Sequence, residues 1–138
     1  MLKLEESMNR KYLSKIIAND NEGLQMISAC CAGAEVKVTD IKYLQKNKVF
    51  LLSLKRSKIE TENEKKKVIS ICKFEFVDNV KSKNIKQGDV DQKLELINID
   101  YLKNNDNFEI SLIFTNNAYI TLSTEIIEVT LDDQNKIS

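Results

Sequence analysis

One absence limits the chemistry this chain can do: among its 138 residues there is no histidine. Without imidazole there is no Ser-His-Asp or Cys-His nucleophilic site, no imidazole general base and no His-bearing zinc site, which sets aside most familiar hydrolytic mechanisms. Cys30 and Cys31 fall at the end of an expected helix. There the helix dipole disfavours a thiolate, whereas reactive cysteines favour helix N-termini or cationic neighbours, so both are expected to fill core and boundary. With Cys72 they make an odd set of 3 that includes an adjacent pair, a pattern fitting reduced thiols in a cytoplasmic protein. Two carboxylate pairs, Glu125 with Glu128 and Asp132 with Asp133, have the right atoms for acid/base work or for holding a hard cation. Neither spacing matches a calcium loop and no glycine-rich phosphate cradle accompanies them, so solvated surface carboxylates are expected, with no cofactor and no metal.

The remaining candidate is basic. Lys65-Lys66-Lys67, Arg56, Lys81 and Lys83 stand on segments that adjacent strands would bring together, and Arg56, Lys67, Lys81 and Lys83 are the expected anion-binding group. Several features weigh against reading much into them. The 21 basic and 21 acidic side chains cancel, and all but two of the basic ones are lysine. Ile and Asn are abundant while Trp, His and Pro are absent, a bias that fits codon pressure in an AT-rich genome. No RNA-binding aromatic motif is present, so nucleic acid is not an expected partner, and lysines protecting a solvated strand edge are the competing explanation. The 42% apolar fraction supports a core, and no apolar run reaches membrane-spanning or signal-peptide length.

The elements that must position these side chains follow from the apolar period. Residues 1–11 form a charged extension, and a single β-rich domain is expected over 12–138, opening with a short strand through Leu13, Ile16, Ile17 and Ala18. Asn19 and Glu22 nearly match a capping box, Leu24, Ile27 and Cys31 share a helical face, and Gly33 stands where a left-handed C-cap is wanted. These predict a helix from Asp20 to Ala32. From Val36 the period becomes two. Val36 and Val38, then Ile41 and Tyr43 on the other parity, predict a strand bulged near Asp40, with a hairpin turn at Gln45–Lys48 into a buried strand over Val49–Leu54.

Ser57–Lys66 reads as a solvated loop or exposed hairpin end. Val68–Val77 places Cys72, Phe74 and Phe76 on one face, and Val80–Ile85 extends it beyond a kink at Asp78-Asn79. A turn around Gly88, a strand over Leu94–Leu102 and a loop at Asn104–Asn107 follow. Phe108, Ile110, Leu112 and Phe114 alternate with Glu109, Ser111, Ile113 and Thr115, which puts Phe114 in the core, and Asn116-Asn117 turns the chain into Tyr119–Leu122. Ile126–Leu131 is expected to be a last strand because it is rich in β-branched residues, although Glu125, Glu128 and Asp132 also permit a helix.

The chain resembles an alphaproteobacterial family, the domain of unknown function 2948 (DUF2948), over roughly Tyr12 to Asp133. The resemblance is carried by Val80-Lys81-Ser82-Lys83-Asn84-Ile85, Leu94-Glu95-Leu96, Ile120–Leu131 with Glu125 and Glu128, and the helix residues Leu24, Ile27, Ser28 and Ala29. Where the family has an Arg-aromatic-acidic-Trp-Glu run, this chain keeps only Arg56 and Glu60. The glycines of the family's last hairpin are replaced by Asn116, Asn117 and Ala118, and asparagine is the substitute best able to take positive φ. The resemblance implies a fold and no activity.

The expected fold is therefore α+β and mainly antiparallel β, with about seven or eight strands in a sheet or partly open barrel and one early helix. A pleckstrin-homology-like arrangement is the alternative if the last segment is helical. The expected function is a non-catalytic module binding a protein partner or a small anionic ligand. An enzyme using carboxylate or lysine chemistry, or a weak phosphate or nucleic-acid binder, is the second reading.

Overall fold

The computed structural model describes residues 14–61 and 64–137. The expected extension over residues 1–11 lies outside them, as do Tyr12 and Leu13. The elements are β1 (Lys15–Ala18), α1 (Asn21–Cys31), β2 (Glu35–Lys37), β3 (Ile41–Leu44), β4 (Val49–Thr61), β5 (Glu64–Phe74), β6 (Val77–Lys83), β7 (Lys93–Asn104), β8 (Asn107–Phe114), β9 (Tyr119–Thr124) and β10 (Val129–Ile137). Every strand pair is antiparallel, and the helix is the one α-helix among the described residues, as the change of period at Val36 requires.

Among the described residues ten strands form where about seven or eight were expected, because two segments are divided. A 3₁₀ turn at Val38–Asp40 stands in place of the bulge and separates β2 from β3. The two halves then join different partners: β3 pairs with β4, while β2 lies between β4 and β7. The second division falls at Phe76, whose φ of 59° breaks the strand between β5 and β6. Phe76 is therefore exposed and does not share the core face of Cys72 and Phe74, and the kink expected at Asp78-Asn79 survives as a register shift between Val77 and Asn79. The Ser57–Lys66 stretch is the end of the long β4–β5 hairpin. The last segment is a strand, beginning at Val129, and it is inserted between β1 and β5.

Local chemistry explains the joints. Asp20, one residue after the expected cap, accepts from the Gly23 amide at 2.8 Å and starts α1. Gly23 is needed for packing, since a Cβ there would stand 2.9 Å from the Ala18 Cβ on β1. Asn116 and Asn117 both take positive φ, 63° and 59°, as a two-residue turn between right-twisted strands demands. Leu24, Ile27 and Cys31 of α1 are buried with the inward residues of the sheet, among them Phe50, Leu52, Phe74, Leu96, Ile110, Leu112, Phe114 and Leu131. Ser28 fastens the helix to β7, donating to Asn98 Oδ1 at 2.9 Å and accepting from the Ile99 amide at 2.9 Å.

The sheet runs β1-β10-β5-β4-β2-β7-β8-β9-β6, with β3 beside β4 off this path. It curls so that the far strand, β6, returns toward β3. There the Val77 amide donates to the Lys48 carbonyl at 2.8 Å, and the Tyr43 hydroxyl donates to the Val77 carbonyl at 2.9 Å. No ladder joins β3 to β6 among the described residues, so the sheet is pinned at one end of this seam and open at the other.

All three cysteines are free thiols. Burial pushes the Cys31 thiol up to about 12, which the nearby Arg56 charge only partly offsets, and burial raises Cys72 as well. Only Cys30 is half-exposed. Alkylation of the native protein at mildly alkaline pH should therefore leave Cys31 and Cys72 unmodified, while denatured protein takes up reagent at all three. Peptide mapping that finds modified Cys72 in native protein would contradict this core.

Candidate functional site

The basic residues singled out above are not gathered into one patch. Arg56 follows Leu52 and Leu54 on the inward parity of β4 and is buried. Its guanidinium already holds an anion: Nη2 donates to Asp133 Oδ1 at 2.8 Å and Oδ2 at 3.1 Å, and Nε donates to Ser70 Oγ at 3.0 Å. Asp133 in turn accepts from Ser70 Oγ at 2.7 Å, Lys58 Nζ at 3.0 Å and the Ser14 amide at 2.9 Å. Burial pushes this carboxyl up, but the bonds from Ser70, Arg56, Ser14 and Lys58 together outweigh burial and hold it below the usual carboxylate range. One carboxylate thus ties β4, β5, β10 and the chain just before β1 together.

Lys67 is on β5 and shares a shallow hollow with Glu35, Lys93 and Glu95, a surface of mixed sign. Lys81 and Lys83 are on β6, at the opposite end of the sheet path, and are exposed. The side chain of Lys65 lies outside the described residues. The carboxylate pairs are likewise separated. Asp133 is buried while its neighbour Asp132 stands on the other parity of β10. Glu125 lies 3.9 Å from Lys48, and Glu128 faces Glu75, whose carboxyl hydrogen bond raises its affinity for a proton.

A concave site with a different lining lies in the open part of the seam. A cleft of about 330 Å³ lies between the 3₁₀ turn and β3 on one side and β6 with its following loop on the other. Buried Val38, Phe50 and Ile120 line it together with half-buried Ile41, Tyr43, Val80 and Ile85. Thr39, Ser82, Gln87 and the backbone at Gly88 form a polar rim. The overhanging loop is held by Gln92, which accepts from the Lys86 amide at 2.7 Å, donates to the Asn84 carbonyl at 3.2 Å and accepts from the Val38 amide through its own carbonyl at 3.3 Å. Gly88 takes φ of 84° at the loop's turn.

Among the described residues no lysine, arginine, carboxylate or thiol lines the cleft, and the Tyr43 hydroxyl is engaged with Val77. What this surface offers is apolar contact along its walls and hydrogen bonding at its mouth. A pocket in this size range with such a lining is the form small-molecule sites take at the mouths of barrels. Sequence reasoning missed it because its lining comes from four separated stretches of chain.

Fold and cleft together define a small curled antiparallel sheet, covered by one helix and left open along a seam between β3 and β6. The chain belongs to the family described as Protein of unknown function (DUF2948), whose model matches residues 14–138. No curated protein and no solved structure matches it. No helix among the described residues is long and apolar enough to cross a membrane.

Proposed function

We propose that the domain is a non-catalytic binding module whose seam cleft takes a small, uncharged, predominantly apolar molecule with a hydrogen-bonding end directed at Thr39, Ser82 and Gln87. The observation that carries this reading is the lining itself: a largely apolar hollow of about 330 Å³ with no charged side chain among the described residues. An anion entering it would lose hydration and gain no cation, which disfavours the charged form by several kcal/mol. The rim hydroxyls have no base beside them in the lining, and the chain has no histidine to supply one.

Two probes of nearly equal shape and different charge test it: neutral N-phenyl-naphthylamine and its sulfonated analogue, anilinonaphthalene sulfonate. The neutral probe is expected to gain fluorescence on the native protein and to bind more tightly than the sulfonate. Ile85→Trp, which fills the cleft from a half-buried position, should abolish this while leaving the far-ultraviolet circular dichroism spectrum unchanged. Tighter binding of the sulfonate, or equal binding to the Ile85→Trp variant, would sink the proposal.

A further inference from the structure

The outer face of β6, β9, β8 and β7 carries a pattern that neither the core nor the cleft uses. Four large apolar side chains stand out on it: Ile97 is 52% exposed, Ile113 37%, Tyr119 40% and Leu102 61%. Lys83, Ile97, Ser111, Ile113, Tyr119 and Thr121 line one broad concavity there, of about 770 Å³. Cross-strand register orders the face into rows. Lys83 pairs with Tyr119 and Tyr119 with Ile113, while Lys81 pairs with Thr121, Thr121 with Ser111 and Ser111 with Asp100. The Lys81 row therefore runs from a basic end on β6 to the acidic Asp100 on β7, the Lys83 row ends at neutral Asn98, and the middle is apolar and hydroxyl-bearing. Among the described residues neither Lys81 nor Lys83 nor Asp100 makes an ion pair.

From this arrangement we infer that the face docks a second copy of the same chain. Consider a two-fold axis lying in the interface, parallel to the strands and between β8 and β9. It exchanges β6 with β7 and β9 with β8, so each row meets its own reversal. Lys81 of each copy then faces Asp100 of the other, Thr121 faces Ser111, and Tyr119 packs on Ile113. Such a contact is isologous and closes at two subunits. An axis running across the strands would instead set β6 over β6, lysine against lysine, and direct pairing of two β6 edges would do the same. Charge therefore selects one of the symmetric arrangements. The dimer expected of such a face is a reversible one that dissociates in the micromolar range.

Sedimentation velocity across micromolar to millimolar concentration tests it. The wild-type chain should pass from monomer to dimer. Lys81→Glu and Asp100→Lys should each weaken association by about tenfold or more, because symmetry places each altered pair in the interface twice. Combining the two substitutions in one chain should restore the dimer, since the reversed charges face each other again. Ile113→Asp should abolish it. Thermal melts of each variant separate loss of association from loss of fold. The inference is overturned by a wild-type chain that stays monomeric throughout, including one that instead captures an acidic peptide on this face. A dimer indifferent to the charge variants overturns it equally.

Discussion

Replacing Asp133 by alanine should destabilise the domain by about 3–5 kcal/mol, the range for removing one partner of a buried ion pair. The cost comes from what is left behind. Arg56 would remain buried with its Nη2 unpaired, Ser70 would lose its acceptor, and Lys58 and the Ser14 amide would each lose a bond of 2.9–3.0 Å. Against a typical total of about 5–15 kcal/mol, a loss of this size removes about a fifth or more of the stability. Urea unfolding should show it as a lower midpoint with an unchanged slope. Arg56→Met combined with Asp133→Leu should cost far less than the single change, because both buried charges leave together.

The same carboxylate predicts a direction with pH. Its proton affinity is lowered in the folded state, so its contribution is fully present above the unfolded value of about 3.9 and is lost as pH falls through the lower folded value. The stability difference between wild type and Asp133→Ala should therefore persist down to weakly acid pH and shrink only in stronger acid. A difference that vanished between neutral and weakly acid pH would contradict the network.

Phe114→Ala should cost about 3–5 kcal/mol, the range for deleting a fully buried aromatic ring. Phe114 is 1% exposed and follows Ile110 and Leu112 on the inward parity of β8. A loss below about 0.5 kcal/mol, the usual surface range, would mean that the inner and outer faces of β8 have been exchanged.

How far the sequence discloses this molecule depends on whether a feature is local. Helix α1, the β3–β4 turn, the β8 alternation and the Asn116-Asn117 hairpin rest on caps, periods and turn chemistry within a few residues, and all four are legible. Sheet order is not. That β2 sits between β4 and β7, and β10 between β1 and β5, is decided by pairings far apart in sequence that leave no local mark. Phe76 shows the intermediate case, where parity continues in the sequence but a positive φ breaks it in the chain.

The buried ion pair was half visible. Arg56 continues the inward parity of Leu52 and Leu54, and Asp133 that of Val129 and Leu131. A charge on an apolar parity signals a buried partner, and reading the residues only as surface charges concealed it. The seam cleft had no comparable signal, because its floor and walls meet only once the sheet curls.

The account rests most on that cleft, and its most direct measurement is a titration of the native chain with neutral N-phenyl-naphthylamine followed by amide proton–nitrogen correlation spectra. The largest perturbations are expected at Val38, Thr39, Ile41, Val80, Ser82, Ile85 and Gly88, with the Arg56–Asp133 network and the outer face of β8 and β9 unmoved. Perturbations confined to Ile113, Tyr119 and Thr121, or none at saturating probe, would contradict a binding site in the seam.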